Sequence, residues 1–217
     1  MTLVSKKRYL LPLLLGSLLS LVIMATPDKY QALMASVDAK YGARAVKRVT
    51  TWRDIVADNK NASDLQKLTR VNDFFNQMDF VDDIDHWGKE DYWATPVEFI
   101  GTMGGDCEDF TIAKYFTLRE LGISDEKLRL VYVKSLSLNQ HHMVLAFYNK
   151  PTSVPVLLDN IDKQLKPASK RKDLLPIYSF NAKNLWLSKA KGRGELVGGS
   201  SRLSLWTDLN NRLEDFN

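Results

Sequence analysis

Between residues 27 and 80 apolar side chains recur at spacings of three and four, the period of helices that bury one face. Tyr30, Leu33, Val37 and Tyr41 mark a first helix, and Val46, Val49, Trp52, Ile55 and Val56 a second. Leu65, Leu68, Val71, Phe74, Phe75 and Met78 mark a third. Gly42 and the polar run 59–63 interrupt the pattern, and Ser63 is placed to cap the third helix. Residues 82–96 lose all periodicity; they are acidic and aromatic, with Trp87, Tyr92 and Trp93 close together. A further helix opens after Gly104, Gly105 and Asp106, carries Ile112, Tyr115, Phe116 and Leu118, and runs to about Leu121, where Gly122 closes it.

Beyond that point the pattern belongs to strands. LRLVYVK (128–134), HMVLAFY (142–148) and VPVLL (154–158) are rich in branched and aromatic residues. The links between them are of hairpin length, which favours antiparallel neighbours. Shorter candidates lie at 177–180 and 185–187, and an amphipathic helix is expected over 203–216. Helices first and an antiparallel sheet second is the order of an α+β fold. No repeat or internal boundary divides it, so residues 26–217 are expected to form one domain.

The first 25 residues stand apart. Lys6, Lys7 and Arg8 precede an apolar stretch from Tyr9 to Ala25, followed by Thr26 and Pro27. This is the order of a secretory signal, with an uncleaved anchor as the alternative. The chain has 30 basic and 26 acidic residues, a formal net charge of +4. Three of those basic residues belong to the signal, so the remainder is close to neutral and offers no case for nucleic acid.

Export makes the one cysteine, Cys107, conspicuous, since it has no intramolecular disulfide partner. A thiol attacks as its thiolate, which a helix N-terminus and an adjacent imidazole both favour. Cys107 sits at an expected helix start, where unpaired backbone N–H groups can also receive an oxyanion. The bland alternative is a small buried hydrophobe. Of the three histidines, His86 falls in the irregular acidic segment, while His141 and His142 open a strand and point to opposite sides. Periodicity leaves the choice between them open. Asp159, after the next strand, can orient a histidine base, and Asn160 is its rival.

The stretch DYWATPVEFIGTMGGDCEDFTIAKY, with KLRLVYVK, HHMVLAFY and VLLDNI downstream, resembles the bacterial transglutaminase-like cysteine proteinases of the LapG type. The resemblance covers about residues 52–187. It implies a papain-like transglutaminase core, with Cys107 as nucleophile, His142 as base and Asp159 as the third member. It further implies a periplasmic endopeptidase that clips a large surface adhesin near its N-terminus, at a pair of alanines. An inner-membrane cyclic di-GMP receptor holds such enzymes inactive, which gives them a role in biofilm dispersal.

Asp106, Glu108 and Asp109 crowd the thiol. Acids suit a helix N-terminus, but negative charge opposes a thiolate, and a bound cation would offset it. The resemblance implies calcium, with Asp106, Glu108 and Asp109 as its ligands. Asp82, Asp83, Asp85, Glu90 and Asp91 read as a solvated loop without EF-hand spacing, and Tyr92 and Trp93 as either cleft or core residues. Two other functions fit a Cys-His pair: acyl transfer to an amine, as in a transglutaminase or amidase, and a non-catalytic periplasmic binding module.

Overall fold

The computed structural model describes residues 29–188 and 194–214. The expected signal, residues 1–25, lies outside them, as do residues 215 and 216 of the expected final helix and the short link 189–193. Among the described residues no helix is long and apolar enough to cross a membrane.

Three helices come first: α1 (Lys29–Tyr41), α2 (Ala43–Asp58) and α3 (Asp64–Phe75). Gly42 turns the chain between the first two at a φ of 79°, a conformation that costs a residue with a Cβ. Ser63 caps α3 as expected, its hydroxyl accepting from the Gln66 N–H while the Gln66 side chain accepts from the Ser63 N–H.

The aperiodic stretch that follows is more ordered than its pattern suggests. Strand β1 (Asp79–Phe80) pairs in parallel with β2 (Gly104–Gly105), and the short helices α4 (Asp83–His86) and α5 (Pro96–Thr102) lie between them. Helix α5 was not expected, although its start carries a capping signal. Thr95 accepts from the Glu98 N–H, Glu98 reaches back to the Thr95 N–H, and Pro96 fills the first turn.

Helix α6 (Cys107–Glu120) then crosses the middle of the molecule. Its buried Ile112, Ala113, Tyr115 and Leu118 join one core cluster with Phe75 of α3, Phe99 and Ile100 of α5, and Met143 and Leu145 of the sheet. Gly122, at a φ of 88°, follows its C-cap.

The sheet has seven strands: β3 (Leu128–Ser135), β4 (Gln140–Phe147), β5 (Val156–Leu158), β6 (Lys166–Pro167), β7 (Leu174–Phe180), β8 (Asn184–Leu187) and β9 (Glu195–Gly199). Their order is β6-β5-β4-β3-β7-β8-β9, antiparallel throughout. Helix α7 (Ser204–Glu214) closes the domain. Its Trp206 meets Phe180 edge-on at 5.2 Å, and Phe180 stacks on Trp93 at 5.6 Å. Trp93 is therefore a core residue. Helices followed by an antiparallel sheet, with one helix driven between them, give the α+β, transglutaminase-like architecture expected.

Candidate active site

Helix α6 begins at Cys107 because Asp106 caps it, its Oδ1 accepting from the Glu108 N–H at 3.1 Å. The half-buried sulfur therefore lies beside the unpaired amides of the first turn. Its thiol donates to Glu108 Oε2 at 2.7 Å. Burial, then Glu108 and Asp106, push the thiol well above its ordinary range, while the Met143 backbone N–H, directed at the sulfur, works the other way. The same turn of α6 is fastened to β4 by Thr111, which donates to the Met143 carbonyl at 3.0 Å.

Met143 is the neighbour of the two candidate histidines, and the strand separates them. His141 is exposed and lies 5.2 Å from the Tyr132 ring. His142 is 1% exposed, and its Nε2 meets Asp159 Oδ1 at 2.8 Å. Asp159 follows β5, which pairs with β4, so the pairing of adjacent antiparallel strands brings the two together. Asn160 does not take that place; its Oδ1 is buried without a hydrogen-bond partner.

Asp159 is held on every side. Oδ1 also accepts from the Ile161 N–H at 3.0 Å, and Oδ2 accepts from Arg171 Nη1 at 2.7 Å. Its main-chain carbonyl accepts from Asn76 Nδ2 at 2.9 Å and from Lys114 Nζ at 3.1 Å. Burial favours the protonated acid, but His142, the Ile161 amide and Arg171 outweigh it and hold the carboxyl well below the usual range.

The acids on the other side of Cys107 are in the opposite condition. Asp83, Asp106 and Asp109 each offer an oxygen, and these atoms all lie within 4.8 Å of one another. Asp109 is fully buried; its Oδ1 accepts from the Ala94 N–H at 2.7 Å, while its Oδ2 has no partner. Asp83 repeats the arrangement, with Oδ2 accepting from the Tyr92 N–H at 2.6 Å and Oδ1 buried and orphaned. Burial followed by repulsion from Glu108, Asp109 and Asp83 pushes Asp106 up to about 10. Burial, with lesser repulsion from Asp91, Glu108 and Asp82, pushes Asp83 up to about 6. Burial drives Asp109 well above its normal value as well. Gly105 is required here, since a Cβ at that position would come within 2.1 Å of Asp109 Oδ2. Hard oxygen donors, two orphaned buried oxygens and uncompensated negative charge suit a divalent cation of the calcium type.

Two site residues escaped the sequence reading. Asp83 was assigned to a solvated loop; Asp82, Asp85, Glu90 and Asp91 are indeed exposed, but Asp83 is 5% exposed and faces Asp106 and Asp109. Glu108, grouped with Asp106 and Asp109 by resemblance, accepts the hydrogen bond of the thiol. Arg171 gave no sequence signal. Tyr92, a possible cleft residue, is half-buried and donates from its hydroxyl to Glu98 Oε1 at 3.0 Å.

No curated protein sequence matches the chain. Among solved structures it is similar to LapG of Legionella pneumophila. The EGTA-treated form superposes with a TM-score of 0.74 at 42% identity, over 83% of this chain and 95% of that one. The calcium-bound form gives a TM-score of 0.72 at 42% identity, over 83% and 97%. Residues 37–191 match the family described as bacterial transglutaminase-like cysteine proteinase. With most of its length matched in this way, and with a cysteine presented at a helix start against a buried His–Asp pair, the chain belongs to that cysteine proteinase family.

Proposed function

We propose that this protein is a calcium-dependent periplasmic endopeptidase with Cys107 as nucleophile, His142 as base and Asp159 as orienting acid. It cleaves the N-terminal region of a large surface adhesin, and so promotes biofilm dispersal. An inner-membrane cyclic di-GMP receptor serves as its inhibitor. The observation that carries the reading is the buried His142–Asp159 bond on the strand to which the first turns of α6, with Cys107, are fastened.

With Nε2 committed to Asp159, Nδ1 is the nitrogen of His142 left to serve the sulfur. His142 Nδ1 takes the thiol proton as Sγ attacks the scissile carbonyl carbon, and the oxyanion is received by backbone amides at the start of α6. The imidazolium returns its proton to the leaving amine. His142 then takes a proton from water, which attacks the thioester and releases the second product with the thiol restored. Asp159, kept ionised, holds the imidazole tautomer and stabilises its charged form.

Legionella LapG is known in calcium-bound and EGTA-treated forms. Asp106, Glu108 and Asp109 are proposed as calcium ligands here, joined by Asp83, whose orphaned oxygen belongs to the same cluster. Calcium in that cluster supplies the positive charge its carboxylates lack. Glu108 stands between the two demands, and its withdrawal from the thiol frees Sγ for His142.

The test incubates the purified protein with an N-terminal adhesin fragment containing a paired-alanine site. Two shorter products that disappear with Cys107→Ala are expected. Cross-linked products overturn the endopeptidase reading in favour of acyl transfer, and equal activity in Cys107→Ala overturns the nucleophile.

A further inference from the structure

Asp159 has two oxygens, and His142 uses one. The second is buried and would be an orphan without Arg171, whose Nη1 reaches it at 2.7 Å. Arg171 is itself 7% exposed. The rest of its guanidinium faces outward: Nε meets Asp173 Oδ1 at 3.0 Å and Nη2 meets Asp173 Oδ2 at 2.8 Å, with Asp162 3.9 Å from Nε. A planar fork thus bridges a buried acid and a half-exposed one, a geometry that the point charge of a lysine cannot reproduce. The backbone of Arg171 is fixed too. Its N–H donates to the Ala168 carbonyl at 3.0 Å, and its carbonyl accepts from the Leu174 N–H at 3.3 Å where β7 begins.

These contacts divide the control of Asp159 between two sets of residues. Lys114 and Asn76 grip the main-chain carbonyl and place the residue after β5. The carboxylate is held separately: the Ile161 N–H and His142 take Oδ1, and Arg171 is the side chain that takes Oδ2.

We propose that Arg171 is a positioning residue for catalysis: by gripping Asp159 Oδ2 it aims Oδ1 at His142 Nε2 and so sets the imidazole for Cys107. This inference rests on the proposed Cys107–His142–Asp159 triad. The groups facing Asp159 are His142 of β4, Lys114 of α6, Arg171, and the more distant Asp173. Of the two cationic side chains, Arg171 bonds the carboxylate and Lys114 bonds the carbonyl.

The experiment measures kcat and KM for the adhesin fragment across pH, using the full chain with added calcium. For Arg171→Gln, kcat falls about 10- to 100-fold while KM stays within about twofold, since the substrate is untouched. Removing the guanidinium takes a positive charge from beside the His142–Asp159 pair and favours the protonated pair, so the acid limb of kcat moves to higher pH, by about one unit. Arg171→Lys regains part of the rate, and Asp173→Asn, which removes an anion, moves the limb slightly in the opposite direction. Wild-type kcat and an unmoved limb in Arg171→Gln overturn the proposal. So does a loss of rate that merely follows the loss of folded protein with the limb in place. If Arg171→Gln does not fold, Arg171→Lys decides by kcat at unchanged KM, and a wild-type kcat there overturns the proposal. Cys107→Ala and Asp159→Asn run beside them: activity in these sinks the triad and this inference together, whereas inactivity in these with an unaffected Arg171→Gln sinks the inference alone.

Discussion

Two buried acid sites flank Cys107, and they solve the same problem differently. Asp159 lies among donors the chain itself provides: an imidazole, a guanidinium and the Ile161 amide, with its carbonyl taken by Lys114 and Asn76. It is held ionised although burial opposes it. Asp83, Asp106 and Asp109 lie among one another, with two orphaned oxygens, and burial pushes all three up. The first site is complete as folded. The second leaves two buried oxygens unmatched and suits charge from outside, and Glu108 beside it accepts the hydrogen bond of the Cys107 thiol. The difference separates a permanent part of the machinery from one that an ion can govern.

The largest effect expected is loss of cleavage, on the order of a thousandfold or more, in Cys107→Ala, read from product formation on gels. Next come three variants that break the comparison, two on one side and one on the other. Asp109→Asn weakens calcium binding by titration calorimetry, about 10- to 100-fold, with activity falling alongside. Gly105→Ala does the same without replacing a ligand, because its Cβ displaces Asp109 Oδ2. Asp159→Asn leaves calcium affinity unchanged yet lowers kcat by about a hundredfold or more. Equal calcium affinity in Asp109→Asn and wild type removes the distinction between the sites.

A smaller effect concerns stability. Lys114 is buried, and its partners, Asn76 Oδ1 and the Asp159 carbonyl, are both uncharged. Burial lowers its pKa to about 7, and Lys163 adds to this while Asp159 resists. Above that pH the folded lysine is neutral while the unfolded one, with an ordinary pKa near 10.5, still binds its proton. Its contribution to stability therefore rises with pH from about 7 to about 10. Lys114→Met removes that slope in urea melts and costs about 1–3 kcal/mol at neutral pH through the acceptors it strands. Smallest is Ser63→Ala, about 1 kcal/mol by loss of a cap, with cleavage unchanged.

What could be read from the sequence was local. The Gly-Gly-Asp turn announced the start of α6 and placed Cys107 on it, and the short link between two strands put Asp159 near the doubled histidine, while the choice of His142 came from the resemblance. The Thr95–Glu98 capping box was equally local and marked α5, but it lay in a stretch without hydrophobic period and gave no helix there. β9 hides for a related reason, because Gly198 and Gly199 dilute its strand character. Asp83 and Arg171 were beyond reach. Each reaches its partner only because the chain folds back, one across the β1–β2 pairing and the other across the sheet edge at β5 and β6. Neither contact leaves a spacing in the sequence.

The most direct test of the central claim follows cleavage of the adhesin fragment by wild-type protein in EGTA and again after calcium is restored. The account predicts no cleavage in EGTA, full recovery with calcium, and none in either condition for Cys107→Ala. Cleavage that persists in EGTA, or that survives in Cys107→Ala, contradicts it.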